Sequence, residues 1–200
     1  MEKLSYILTC YLVEKNVVAA EKSSIYQYGF QIGMEVCLNT IISILIAILC
    51  HMECETIIFF VVFMLLRSYA GGLHLNTYIS CLICSCMSLL GLLMIVRYWN
   101  IDSPLSLGIV VISLFLIKLL SPVQDINRPI SPDEMQTFGK KLNYSILVIL
   151  ILSVIFYGLH LERMLLMISV TTLFMVGILV LGKLNYRKSI KESQKNQSVG

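Results

Sequence analysis

An all-α integral membrane protein of about six transmembrane helices, with amphipathic N-terminal helices at the cytoplasmic interface, is the fold class this sequence predicts. Three observations carry the prediction. Hydrophobic residues make up 58% of the 200 and charged residues only 14%, where soluble domains carry roughly a quarter charged. The apolar residues gather into runs, several of which approach the ~20 residues that cross a bilayer. The basic residues fall almost entirely on one side of those runs, as membrane topology requires.

The first 33 residues place Leu4, Ile7, Leu8, Tyr11, Leu12 and Val18 at near-helical spacing, with Lys3, Glu14, Lys15 and Glu21 between them. That pattern predicts helices lying in the interface, or packed on the cytoplasmic side of a bundle. Acids spread through the segment and the lack of an unbroken apolar core do not fit a cleavable signal peptide. The first span is expected from about Glu35 to Cys50, and the second from about Thr56 to Leu66, ended by Arg67 and broken by Gly71-Gly72. The third runs from about Tyr78 to Val96, and the fourth from about Leu105 to Leu120, stopped by Ser121-Pro122. The fifth and sixth cover about Leu142 to Leu159 and Met164 to Leu184. The shorter runs need flanking turns or a thinned bilayer to cross it. The organisation that results is a single membrane domain: an amphipathic region over 1–33, a transmembrane bundle over 34–184 and a basic cytoplasmic tail over 185–200.

With six spans, both termini share a side with the loops after the second and fourth. That side holds Lys3, Lys15, Lys22, Arg67, Arg128, Lys140, Lys141, Lys183, Arg187, Lys188, Lys191 and Lys195, leaving Arg97 and Arg163 opposite and Lys118 inside the fourth span. The asymmetry puts both termini and the Arg67–Thr77 loop in the cytoplasm. The 7 cysteines are odd in number and lie mostly in apolar runs, so reduced thiols are expected rather than a disulfide framework. Net charge is only +3, and no nucleic-acid partner follows from it. Anionic lipid is the partner the basic tail suits best.

Chemistry concentrates in Arg67-Ser68-Tyr69-Ala70-Gly71-Gly72-Leu73-His74, followed seven residues later by Cys81. Imidazole and thiol are the minimal pair for a thiolate nucleophile, the ring taking the proton and the ion pair stabilising the anion. Seven residues of straight helix would separate them by about 10 Å, so contact requires the permissive backbone of Gly71-Gly72 to turn His74 back over the third span. Cys81 would then stand near the N-terminal end of that helix, where dipole and free N–H groups favour a thiolate and an oxyanion. Other roles stay open: a cysteine in an apolar helix is often a small filler, and a loop histidine is often merely solvated. A metal site from His74, Cys81, Cys84 and Cys86 is disfavoured because ligands spread along one helix point in different directions. Neither a metal nor another cofactor is called for.

Arg-x-x-Ala-Gly-Gly-x-His with Cys seven residues on resembles the accessory gene regulator B (AgrB) family of quorum-sensing peptide processors. The likeness extends to the amphipathic N-terminus, Gly33-Met34-Glu35 entering the first span, the Pro122…Asp125…Asn127-Arg128-Pro129 loop and the basic tail. Leu75 departs from the pattern, standing where a smaller residue is expected, which touches packing more than chemistry. The resemblance implies a cysteine endopeptidase of the bacterial cell membrane that processes an AgrD-type autoinducing-peptide precursor. It implies Cys81 as nucleophile, His74 as general base and then acid, Arg67, Gly71 and Gly72 as support, and a homodimer, which small residues such as Gly177 and Gly182 permit. The precursor would be cut at its C-terminal side through a Cys81 thioester and closed to a thiolactone or lactone. Glu35, Asn76, Asp125 and Asn127 are candidates to orient His74, with Glu35 preferred as a boundary carboxylate; a solvated helix-start acid explains Glu35 as well. Arg128, Lys140 and Lys141 suit an acidic segment of the precursor. His51 and His160, in outer loops, have no supporting groups. The competing readings are a small peptide exporter, with Arg67 and Lys118 lining a path, and a noncatalytic membrane partner protein.

Overall fold

The computed structural model describes residues 2–15, 23–70, 78–121 and 132–197, with side chains described over 5–15, 23–31, 33–70, 82–121 and 139–185. Among these residues there are helices and turns and no strand. The helices are α1 (Glu2–Glu14), α2 (Ser23–Cys50), α3 (Glu53–Ala70), α4 (Tyr78–Tyr98), α5 (Ser103–Leu120), α6 (Pro132–Gly158) and α7 (Glu162–Gln197). Each of the six apolar runs of the sequence lies in its own helix, α2 to α7. Among the described residues, four stretches are by length and composition long and apolar enough to cross a membrane: Ser23–Cys50, Ser103–Leu120, Gly139–Gly158 and Glu162–Asn185. The described part of α4, Leu82–Tyr98, is a shorter apolar helix. α3 carries Glu53, Glu55 and Arg67 at its ends.

Helix boundaries differ from the sequence expectation mainly by extension. α2 starts at Ser23, so residues 23–33 continue into the first span rather than forming a separate interfacial helix. Nothing between Ser23 and Glu35 breaks a helix, and Tyr26 and Tyr28 suit the headgroup level. α6 starts at Pro132, a proline at the first helical position, where its missing N–H has no intrahelical acceptor to lose. α7 runs on to Gln197 because Lys, Arg, Glu and Gln beyond Gly182 are good helix formers. α5 ends as expected. Ser121, the residue before Pro122, is extended at φ −89° and ψ 155°, as the proline ring demands, and its N–H donates to the Ile117 carbonyl at 2.9 Å.

Two compact units emerge, Met1–His51 with Asn76–Leu89, and Met52–Leu75 with Leu90–Gly200. In the first, α1 packs on α2. The Tyr6 phenol donates a hydrogen bond to the Cys10 sulfur one turn away, which holds the phenol above its ordinary value, with the sulfur's negative charge and burial acting in the same direction. In the second, α3, α5, α6 and α7 share one buried cluster. Val62, Leu66 and Ala70 enter it from α3, Val110, Leu114 and Ile117 from α5, Leu142 and Ile149 from α6, and Ile168, Met175 and Leu179 from α7. The spacings of three, four and seven put each set on one helical face.

Buried hydroxyls accompany this cluster. Ser153 donates to the Ile149 carbonyl at 2.8 Å, Thr171 to Met167 at 2.7 Å and Ser169 to Leu166 at 2.8 Å. With no water in the hydrocarbon layer, a hydroxyl satisfied within its own helix carries little penalty and lets neighbouring helices approach closely. Large apolar side chains such as Ile112, Phe115, Ile151 and Val154 point outward, which lipid accommodates and water would not.

His51 and His160 both hold turns. α6 ends in a Schellman arrangement: Leu161 N–H donates to the Phe156 carbonyl at 3.0 Å and His160 N–H to Tyr157 at 3.2 Å, with His160 at φ 55°. His51, after α2, has φ 52°. These are left-handed positions that suit glycine. His160→Gly is therefore expected to stabilise the fold by about 0.5–1 kcal/mol, net of glycine's extra unfolded-state freedom. The check is a rise in the thermal midpoint of the detergent-solubilised protein.

Candidate functional site

Cys81 is the fourth residue of α4, which begins at Tyr78. Its backbone lies near the described start of that helix, and the N-terminal turn of a helix concentrates partial positive charge and unpaired N–H groups. Both features lower a thiol's pKa and stabilise an oxyanion. The Cys81 side chain lies outside the described residues, as do His74, Gly71, Gly72, Asn76, Asp125, Asn127 and Arg128.

Arg67 occupies the last turn of α3, half-buried and engaged with a partner. α3 continues through it to Ala70, beyond the end that Arg67 was expected to mark. The reason is packing: Ala70 has no exposed surface and belongs to the buried cluster with Leu66 and Val62. The alanine of the Arg-x-x-Ala-Gly-Gly segment is thus a packing requirement that its residue type alone does not announce. Ser68, by contrast, is exposed and donates to the Met64 carbonyl at 2.7 Å. Ala70→Leu, which adds three carbons where no surface is free, is expected to destabilise by about 1–3 kcal/mol. Ser68→Ala should change stability by no more than about 0.5 kcal/mol. Thermal unfolding of both variants in detergent checks the contrast.

Glu35 is half-buried on α2 and accepts a hydrogen bond from Gln31 Nε2 at 3.1 Å, one turn back on its own helix. Lys140 and Lys141 are exposed on α6. Lys141 Nζ lies 5.8 Å from the centroid of the half-buried Tyr69 ring on α3, a contact with no local sequence signal. Lys118 is exposed in the last turn of α5, where an ammonium complements the free carbonyl groups. Gly177 is exposed with open space beside it, whereas Gly182 is buried. Among the described cysteines, Cys10, Cys37, Cys54, Cys84 and Cys86 are free thiols.

These features define a multi-helix integral membrane protein with a cysteine near the described start of one helix, preceded in sequence by an Arg-x-x-Ala-Gly-Gly-x-His segment. The sequence model of the family described as accessory gene regulator B, AgrB, matches residues 5–181. The chain belongs to that family. Its general role is accordingly that of AgrB in quorum sensing, with an AgrD-type peptide as the class of substrate the family implies. No curated protein and no solved structure matches the chain.

Proposed function

We propose that this protein is a membrane cysteine endopeptidase that cuts an autoinducing-peptide precursor and closes the retained part into a ring. What carries the reading is Cys81 within the family match, near the described start of α4 and downstream of the Ala-Gly-Gly-x-His segment. His74 takes the Cys81 proton, and the thiolate attacks the carbonyl carbon of the scissile peptide bond. N–H groups of the first turn of α4 suit the oxyanion. Collapse expels the amine of the C-terminal fragment, which takes the proton from the His74 imidazolium, and leaves the precursor's core as a thioester on Cys81. A thiol or hydroxyl within the core, giving its proton to the now neutral His74, then attacks the thioester carbonyl and frees the Cys81 thiolate. The ring is a thiolactone or a lactone accordingly.

Sulfur-to-sulfur acyl exchange is nearly isoenergetic, so exclusion of water decides between cyclisation and hydrolysis, and a site at the membrane boundary favours exclusion. The reading places both termini and the active site on the cytoplasmic side, following the basic residues. It treats 34–184 as one bundle that works as a homodimer, with Gly177 available to the second copy. Arg67, Gly71 and Gly72 support the site. Arg128 and Lys140 suit acidic residues of the precursor, and Glu35 is a helper for His74. Co-expression with the precursor, followed by mass spectrometry of the products, tests the reading: parent protein yields a C-terminal fragment and a dehydrated cyclic core, and Cys81→Ala and His74→Ala yield neither.

A further inference from the structure

α1 and α2 pack together and leave a cavity of about 370 Å³ between them, a size that suits a small ligand. On α1 the wall is one helical face, Tyr6, Thr9, Cys10, Val13 and Glu14, at i, i+3, i+4, i+7 and i+8. The Tyr6 phenol donates to the Cys10 sulfur, and the Thr9 hydroxyl to the Ser5 carbonyl at 2.8 Å. Both donors are thus satisfied within α1. The polar groups left to a ligand are Glu14, at the end of α1, with Ser23 and Gln27 one turn apart on α2. Ser23 and Gln27 are half-buried, and Glu14 is the charged member of the described lining. Each of the three presents an oxygen that accepts hydrogen bonds. Lys15 stands just outside, exposed, its ammonium 5.8 Å from the Tyr11 ring centroid. Ile7, Tyr11, Ile25 and Tyr28 are exposed on the same two helices, which suits the headgroup level of a bilayer.

We propose that this cavity binds the headgroup of a phospholipid with a primary ammonium, that is, phosphatidylethanolamine. The proposal concerns α1 and α2 alone and is independent of the peptidase reading. A primary ammonium carries three N–H donors, and the cavity offers three oxygen-bearing side chains, one of them a carboxylate. A hydrogen bond between ionised partners is roughly twice as strong as a neutral one, so Glu14 contributes most. The phosphate of the same headgroup, a few bonds away, then lies near Lys15, and the zwitterion meets charges of opposite sign in order. Choline keeps the positive charge but has no N–H to donate, which leaves the Ser23 and Gln27 acceptors unused. A glycerol headgroup donates from hydroxyls but brings no cation, and Glu14 repels its phosphate. The exposed apolar side chains around the mouth favour a ligand with acyl chains over a soluble amine.

The experiment titrates the full-length protein in detergent with short-chain lipids and reads the bound fraction by native mass spectrometry. The probes are phosphatidylethanolamine, its N-methylated analogues, phosphatidylcholine and phosphatidylglycerol. Phosphatidylethanolamine is expected to bind about fivefold more tightly than phosphatidylcholine, with affinity falling at each added methyl group. Glu14→Gln and Gln27→Ala should each reduce that preference to about twofold or less. Glu14 is exposed, so its substitution leaves the packing of α1 in place; Ser23→Ala gives a second reading of α2 should Gln27→Ala fail to accumulate. Glu162→Gln, at an exposed carboxylate of α7, should leave the preference unchanged. Equal affinity for phosphatidylethanolamine and phosphatidylcholine would overturn the proposal. So would a preference that survives Glu14→Gln, since the ammonium would then be held elsewhere. Tightest binding of phosphatidylglycerol would also overturn it and mark an anion site. Tighter binding of a soluble lysine-bearing peptide than of any of these lipids would overturn it in favour of a peptide ligand.

Discussion

Cys81→Ala is expected to abolish both release of the C-terminal fragment and formation of the cyclic core, a loss of at least about 10³-fold, because a covalent route without its nucleophile leaves only binding and electrostatic contributions. The same chemistry makes a positive prediction. A precursor whose internal thiol or hydroxyl has been removed can acylate Cys81 and release its C-terminal fragment, but it has no group to take over the acyl chain. With water excluded, the thioester accumulates. The protein then gains the mass of the precursor core, and hydroxylamine removes it. Cys84 and Cys86, further along α4 and away from its first turn, should carry none of that mass. Adduct on Cys81 alone separates a nucleophile from a generally accessible thiol. Unchanged processing in Cys81→Ala would sink the peptidase reading and move the exporter or noncatalytic-partner reading ahead.

How much of this was legible in the sequence depended on range. The spans are written as apolar runs, and each run became a helix. Their ends were harder to place, because the residues flanking an apolar run still favour helix: Ser23–Glu35 lengthens α2 and the Lys- and Glu-rich stretch after Gly182 lengthens α7. Composition shifts mark the hydrocarbon layer, and helices do not stop there. The same reasoning explains why α3 passes Arg67 and is still helical at Ala70. The chemistry of the candidate site is local, since His74 and Cys81 declare themselves by type and spacing. The supporting contacts are not local. Tyr69 meets Lys141 only because α3 packs on α6, and no pattern within either segment foretells that pairing. Ala70 could be read as a helix former, but its complete burial depends on three other helices. His51 and His160 illustrate the limit from another side: their left-handed backbone is set by where α2 and α6 must end, in a conformation the residue type tolerates without demanding.

His74→Ala is expected to remove processing as fully as Cys81→Ala, and to change how Cys81 reacts with pH in a way that identifies the ion pair. A free thiol near pKa 8.5 is only about 1% thiolate at pH 6.5, whereas one brought to about 6.5 by an imidazolium and a helix start is about half ionised. Lower basicity also weakens the nucleophile. Two pKa units at a Brønsted slope near 0.45 cost about eightfold in intrinsic reactivity. The two effects oppose each other, and which one wins depends on pH. At pH 6.5 the parent thiol should react with a small water-soluble disulfide about sixfold faster than the His74→Ala thiol. Near pH 7.6 the rates should cross. At pH 9 the variant, mostly thiolate and intrinsically more nucleophilic, should be about sixfold faster. Peptide mass mapping at Cys81 reads each rate without disturbing the other cysteines. Loss of the whole profile by a constant factor would mean altered access rather than lost pairing, and coincident profiles would leave His74 with no part in activating the thiol. A crossing, together with abolished turnover, assigns the imidazole its two roles: holding the thiolate ready at neutral pH, and returning the proton that the departing amine requires.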